Sequence, residues 1–202
     1  MFPKKILTLL TFLIISLSST ARVHSIEPDI FVQSTVNRAA ETLGSNLSKE
    51  ERIEKLKEIA KDTVDIRGIG FYSLGSYRKS LSDEELQKYE EVFEKYFLKS
   101  FASRLAEYTN PEIKVTNKKV LNKSYTIVNS LLISKSKRPE VKIDWRVYTK
   151  YPDSPLIRDL IIEGLSLART QKEEFASILN SNDGDIKALF KTLEEFSKDY
   201  NN

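Results

Sequence analysis

The spacing of apolar residues along the chain changes near residue 110. Before that point apolar residues recur every three or four positions, whereas beyond it they alternate with polar residues over four segments. Helical spacing returns after Gly164. The predicted helices span 27–44, 48 to about 64, 66–74, 83–108, 165–179 and 185–198, and the predicted strands 112–120, 124–135, 140–151 and 156–163. We therefore predict an α+β fold with helices packed on a curved four-stranded antiparallel sheet.

Two helix starts carry a recognisable capping signal, Ser48 with Glu51 and Ser82 with Glu85. The second opens the strongest predicted helix, whose apolar stripe is mostly aromatic. Its members are Leu86, Tyr89, Phe93, Tyr96, Phe97, Phe101, Leu105 and Tyr108. The stripe would oppose the apolar side of the strand "VKIDWRVY". The two surfaces either touch and form a core or are held apart and line a pocket, and the pattern allows both.

The last predicted strand, 156–163, is apolar on both sides. As an extended strand it places Leu156, Arg158, Leu160 and Ile162 on one side and Ile157, Asp159, Ile161 and Glu163 on the other. A sheet with one side in water normally alternates apolar with polar residues. This strand is therefore covered twice, either by helices on both sides or by helices on one side and a ligand on the other.

The N-terminus has the order of a secretory signal peptide: Lys4 and Lys5, the apolar run 6–17, and then small residues up to Ala21. The apolar run is short for a membrane span, which needs about 20 residues. We expect cleavage after Ala21 or Ser25, so that 1–25 is the signal peptide and cleavage region and 26–202 a single domain. The chain has no cysteine, which favours the periplasm over a secreted disulfide-stapled domain.

Charge and composition exclude several kinds of function. The N-terminal 25 residues contain three basic residues and no acid, so their removal leaves 29 basic against 29 acidic residues and no expected affinity for nucleic acid. Without cysteine, and with His24 as the only histidine, no metal site, cofactor or hydrolase triad is expected. Asp159 and Glu163 would lie roughly 13 Å apart in a strand, too far for two carboxylates to act on one bond. We expect no catalytic residues, and we expect Ser166 to cap or turn the chain into the following helix.

Two segments resemble the periplasmic phospholipid-binding proteins of the MlaC type, also called toluene-tolerance proteins. The first is 66–108, in which "LGSYR" and then "SDEE" lead into a long aromatic helix, and the second is "VKIDWRVY" followed by "IRDLIIEGLSLARTQ". The matching positions are Leu74, Gly75, Tyr77, Arg78, Ser82, Glu85, Asp159, Glu163, Gly164, Ser166, Arg169 and Gln171. The chain departs from the pattern at "SPLI" and at Arg158, where the family more often has Tyr or Val.

The resemblance implies a monomeric carrier that is not an enzyme and that holds one phospholipid with its tails inside an apolar pocket. It also implies two partners, an outer-membrane lipoprotein–porin complex and an inner-membrane ABC transporter with a substrate-binding ring subunit, and a role in outer-membrane lipid asymmetry. Candidate tail-pocket residues are Phe71, Leu74, Phe93, Phe97, Phe101, Ile127, Leu131, Ile143, Trp145, Val147, Leu160 and Ile162. Candidate cations at a head-group rim are Arg78, Arg146 and Arg158.

Two other functions fit the residues themselves. One is a periplasmic interaction module with a solid core and no ligand. The other is an enzyme with a cone-shaped α+β fold acting on an apolar substrate, which the missing cysteine and the scarcity of histidine disfavour.

Overall fold

The computed structural model describes residues 25–108, 111–133 and 139–198. The predicted signal peptide lies outside them except for Ser25. The helices are α1 (Pro28–Gly44), α2 (Lys49–Thr63), α3 (Ile66–Leu74), α4 (Asp83–Leu105), α5 (Leu167–Asn180) and α6 (Ile186–Lys198). The strands are β1 (Glu112–Asn122), β2 (Tyr125–Ile133), β3 (Val141–Tyr148), β4 (Leu156–Ile162) and β5 (Leu165–Ser166). A short 3-10 helix, Gly75–Lys79, follows α3.

Both predicted capping boxes are confirmed. The Ser48 hydroxyl accepts a hydrogen bond from the backbone N–H of Glu51, whose carboxylate accepts one from the backbone N–H of Ser48. Ser82 and Glu85 make the same reciprocal pair at the start of α4. Each pair satisfies backbone donors that the first turn of a helix leaves open, so these two helix starts are fixed by their local sequence.

The sheet has the order β1-β2-β3-β4-β5, with every neighbouring pair antiparallel, and it is open. This confirms the α+β class and the antiparallel meander, with one addition. The short strand β5 pairs with β4 after a corner at Glu163 and Gly164, whose φ angles are 48° and 85°. Positive φ suits glycine, so Gly164 permits this corner. The predicted helix at 165 begins two residues later because Leu165 and Ser166 belong to the sheet.

The strand pairing defines two faces of the sheet. One is the core face, where Thr126, Val128, Ser130 and Leu132 of β2 lie beside Val147, Trp145, Ile143 and Val141 of β3. The other is the cleft face, where Tyr125, Ile127, Asn129 and Leu131 lie beside Tyr148, Arg146, Asp144 and Lys142. Val128 and Val147 on the core face are fully buried.

Strand β4 contains a bulge that corrects the predicted division of its side chains. Trp145 pairs with Leu160, Arg146 with Asp159 and Val147 with Ile157, so Arg158 is an extra residue. Ile157 therefore lies on the core face together with Leu160, although simple alternation would separate them.

Helix α4 places most of its aromatic stripe in the main core, but it ends at Leu105, three residues before the predicted end, and Tyr108 is exposed. Tyr89 and Phe93 are buried and stack on each other with ring centroids 5.5 Å apart. Phe93 also meets the edge of Phe175 from α5. The same core includes Trp145 and Val147 from the core face of the sheet. In the described residues, therefore, this part of the stripe and the core face share one packed core.

Candidate functional site

A cleft of about 380 Å³ lies beside the cleft face, where α3 and the start of α5 approach the sheet. Binding sites for small molecules commonly have volumes of this order or somewhat larger. Helix α3 contributes Gly68, Ile69 and Tyr72, and the end of β1 contributes Leu121 and Asn122. The remaining lining residues are Tyr125, Arg146, Arg158, Asp159 and Ala168. The cleft thus combines apolar side chains with two arginines and a carboxylate.

Arg158 is held on three sides. Its Nε donates to Oδ2 of Asp65 across 2.5 Å, and its Nη1 donates to the Tyr125 hydroxyl across 2.6 Å. The guanidinium also stacks over the Tyr148 ring, with its central carbon 3.8 Å from the ring centroid. Because Asp65 caps α3 by accepting from the backbone N–H of Gly68, these contacts connect the bulge in β4 to the first turn of α3.

The environment of Arg158 stabilises its charged form. Burial alone lowers the pKa of this guanidinium, but hydrogen bonds to Tyr125 and Asp65 outweigh burial and leave its pKa above the ordinary arginine value. The Arg158 side chain is 29% exposed and Asp65 is 15% exposed. This ion pair is therefore largely shielded from water.

Asp159 is buried and is bonded to the start of α5. Its carboxylate accepts from the Ser166 hydroxyl at 2.6 Å and from the backbone N–H of Ala168 at 3.0 Å. The positive end of the helix dipole also favours an anion at this place. Ser166 is the N-cap of α5, because its hydroxyl accepts from the backbone N–H of Arg169, which confirms its predicted capping role.

Arg146 lies in the same cleft with fewer partners. Its Nη1 is 3.9 Å from Oδ2 of Asp159, which is an ion pair beyond hydrogen-bonding distance. Its Nε is buried and makes no hydrogen bond with the residues that the structure describes. The side chain as a whole is 39% exposed, so its charge borders the cleft without being enclosed.

The predicted tail-pocket residues do not all face one space. Five are buried in the main core, namely Leu74, Phe93, Ile143, Trp145 and Val147. Four are half-buried and pack against that core, namely Phe71, Phe97, Phe101 and Leu160. Ile162 is half-buried beside Ile143 on the core face. Ile127 and Leu131 lie on the cleft face, so the sheet separates them from the other ten candidates.

The predicted rim residues also separate. Arg146 and Arg158 line the cleft together. Arg78 does not; it belongs to the 3-10 helix, is exposed and lies over the Phe71 ring at 4.1 Å from the centroid.

Several residues that line the cleft, or that hold the arginine lining it, were not among the sequence candidates. Asp65 and Tyr125 bind Arg158, and Tyr148 stacks on it. Asp65 stands directly before a predicted helix, which is a capping signal, but its partner is 93 residues away. Tyr72 and Leu121 line the cleft although both are more than 40% exposed. Their exposure is a property of the folded chain, so the pattern of the sequence did not select them.

The site offers no support for metal binding or for a carboxylate pair. In the described parts of the chain no three His, Cys, Asp or Glu side chains are grouped so that they could hold a metal ion. The Glu163 carboxylate accepts from the backbone N–H of Lys142, whereas Asp159 is bonded to Ser166 and Ala168. The two carboxylates therefore have separate structural partners. No helix in the described ranges combines the length and apolar character needed to cross a membrane.

Helices packed on an open antiparallel sheet place this chain in the α+β class, with a cleft that combines apolar and cationic side chains. The chain belongs to the MlaC family, whose model matches residues 33–195. It is similar to the intermembrane phospholipid transport system binding protein MlaC of Haemophilus influenzae, with 24% identity over 195 residues, 88% of this chain and 86% of that protein. Its fold is similar to the solved phospholipid-binding protein from Ralstonia solanacearum in complex with a phospholipid, with a TM-score of 0.70 and 20% identity over 85% of this chain and 97% of that one.

Proposed function

We propose that this protein is a periplasmic phospholipid carrier and performs no chemical reaction. Family membership is the observation that carries this proposal. Similar proteins named for phospholipid transport and phospholipid binding support it. The domain 26–202, released from its signal peptide, would move lipid between the outer and inner membranes and so maintain outer-membrane lipid asymmetry.

The chemistry of the cleft supports an amphipathic ligand. Ile69, Tyr72 and Leu121 provide apolar surface, and Arg146 and Arg158 provide positive charge beside it. A tyrosine at a pocket mouth suits this role because it has an apolar ring and a polar hydroxyl. A phospholipid presents the matching combination, with a phosphate directly attached to apolar tails.

The tails need more room than the cleft provides. Two acyl chains hold on the order of 30 methylene groups, and at about 0.8 kcal/mol for each buried group their exposure would cost more than about 20 kcal/mol. A volume of about 380 Å³ accommodates roughly a dozen groups of the size of a water molecule. We therefore propose that loading moves α3 and the start of α5 away from the cleft face and enlarges the cleft along Ile127 and Leu131, the two predicted tail residues on that face.

A carrier of this kind works between two membranes as a monomer. Its proposed partners are an outer-membrane lipoprotein–porin complex and an inner-membrane ABC transporter with a substrate-binding ring subunit. The exposed side chains of Tyr72 and Leu121 at the cleft would be covered while lipid passes to or from such a partner.

The first experiment is native mass spectrometry of the mature protein from a periplasmic extract, with lipid extraction from the same sample. We expect an added mass equal to one diacyl phospholipid that is released on unfolding. A protein without added mass would next be incubated with phospholipid vesicles and measured again. Failure to load under both conditions would reject the carrier and favour the ligand-free interaction module.

A further inference from the structure

Building on the carrier function above, we propose that Arg146 binds the phosphate group of the ligand, whereas Arg158 has a structural role. Both arginines line the cleft, and their side chains carry the same charge. They differ in how many of their hydrogen-bond donors the protein itself already uses. That difference assigns their roles.

The fold uses two of the five N–H donors of Arg158 and one face of its guanidinium. Nε is bonded to Asp65, Nη1 is bonded to Tyr125, and the face of the guanidinium covers Tyr148. A phosphate that bound Arg158 through these donors would have to displace Asp65 and so disturb the start of α3. Its positive charge is moreover already matched by the Asp65 carboxylate.

The nearest carboxylate to Arg146 does not depend on it. Asp159 accepts hydrogen bonds from Ser166 and Ala168 and lies at the positive end of α5. These partners compensate a buried carboxylate in the way that an arginine otherwise would. The 3.9 Å distance from Asp159 to Arg146 accordingly shows an attraction without a hydrogen bond.

Arg146 therefore keeps its donors for a ligand. The structure gives its side chain no hydrogen bond to any described residue, and its buried Nε is left without an acceptor. A guanidinium has five N–H donors in a planar fork that fits two oxygens of a phosphate. A small rotation of the side chain into the cleft would bring Nε and Nη to such an anion. The phosphodiester of a lipid head group and free inorganic phosphate both offer this chemistry.

The test uses delipidated mature protein incubated with vesicles that contain equal amounts of phosphatidylglycerol and diacylglycerol, followed by native mass spectrometry of the bound lipid. Diacylglycerol has the same tails but no phosphate. We expect Arg146→Gln to lower the ratio of bound phosphatidylglycerol to bound diacylglycerol about tenfold to a hundredfold. This is the loss of affinity expected when hydrogen bonds to a charged group are removed. Arg146→Lys should lower it less, because lysine keeps the charge but not the fork.

Two further variants separate binding from structure. Lys114→Gln removes the same charge from an exposed position on the cleft face, where Lys114 pairs with Leu131, and should leave the ratio unchanged. Arg158→Gln should lower the unfolding midpoint, whereas Arg146→Gln should not. An unchanged lipid ratio in Arg146→Gln, or an equal fall in Lys114→Gln, would overturn the assignment of Arg146.

A titration with free phosphate separates a failure of the Arg146 assignment from a failure of the carrier function. If the wild type takes neither lipid, the carrier function fails, and titration with inorganic phosphate followed by nuclear magnetic resonance decides about Arg146. Phosphate binding that is lost in Arg146→Gln would keep Arg146 as an anion site with free phosphate as its ligand. Phosphate binding that persists in the variant, or that is absent from the wild type, would reject the site.

Discussion

Arg158 donates a hydrogen bond from Nε to Oδ2 of Asp65 across 2.5 Å, and this contact joins the bulge of β4 to the N-cap of α3. The backbone supports the same junction. Val64 forms a parallel bridge with Ile157, and the N–H of Asp65 donates to the Ile157 carbonyl at 2.9 Å. Helix α3, which forms one wall of the cleft, is therefore attached to the sheet by both main-chain and side-chain contacts.

We predict that Arg158→Gln and Asp65→Asn each lower the free energy of unfolding by about 1–3 kcal/mol, because each leaves a shielded charged partner incompletely paired. The double variant should lose less than the sum of the two, since the second change removes a group that has already lost its partner. Urea unfolding of the four proteins measures this. The exposed pair of Arg38 and Asp62 is the control, and Arg38→Gln should cost less than about 1 kcal/mol. Additive losses from Arg158 and Asp65 would show that the two side chains do not stabilise each other.

Trp145 should report on the core face directly, because it is the only tryptophan in the chain. Its indole Nε1 donates to the Ser130 hydroxyl at 2.8 Å, and that hydroxyl donates to the Ile143 carbonyl at 3.0 Å. Ser130→Ala leaves the indole N–H without its acceptor, and we predict a loss of about 1–3 kcal/mol in the free energy of unfolding. Tryptophan fluorescence during urea unfolding measures the loss. Ser76→Ala on the exposed 3-10 helix is the control, and an equally small effect at both positions would contradict the prediction.

The features that the sequence predicts correctly are those that neighbouring residues decide. Ser48 with Glu51 is a local signal, and the long aromatic helix follows from spacing that repeats every turn. Neighbouring residues do not predict that Ile127 and Trp145 lie on opposite faces of the sheet. Each strand alternates correctly by itself, but which sides of two strands coincide depends on their register, and here Ile127 pairs with Arg146.

The candidate site was predictable only in part for the same reason. The arginines at 146 and 158 can be selected as cations near apolar strands, and both line the cleft. What distinguishes them is their partners. Arg158 meets Asp65 from a distant part of the chain, and a bulge places Arg158 and Asp159 together on the cleft face. An inserted residue in a ladder leaves no periodic signal, so alternation assigned Ile157 to the wrong side.

Val147 and Leu131 should respond differently to the same kind of substitution. Val147 is fully buried on the core face, and Val147→Thr would place a hydroxyl there, with an expected cost of about 1–3 kcal/mol. Leu131 is half-buried on the cleft face, and Leu131→Thr should cost less than half as much. Chemical unfolding of both variants provides the comparison. Equal losses would mean that the cleft face at Leu131 is packed as tightly as the core.

The ion pairs of Lys118 should make stability depend on pH at the acidic end. Lys118 donates to Asp29 at 2.7 Å and to Glu27, which connects β1 to the start of α1. The hydrogen bond from Lys118 holds the pKa of Asp29 below its ordinary value. A carboxyl group with a lower pKa in the folded state stabilises the fold above its unfolded pKa of about 3.9, and this stabilisation disappears as the pH falls through the lower folded pKa.

We therefore predict that Asp29→Asn is less stable than the wild type at pH 6 and that the difference shrinks as the pH is lowered toward 2.5. Both Asp29 and Lys118 are about one-third exposed, so water weakens the effect and salt should reduce it further. Urea unfolding of the two proteins at several pH values measures the difference. Glu41→Gln on the exposed side of α1 is the control, with no pH-dependent difference expected. If the free energies of unfolding of Asp29→Asn and the wild type differ by the same amount at every pH, Asp29 stabilises the fold through its shape and hydrogen bonding instead of its charge.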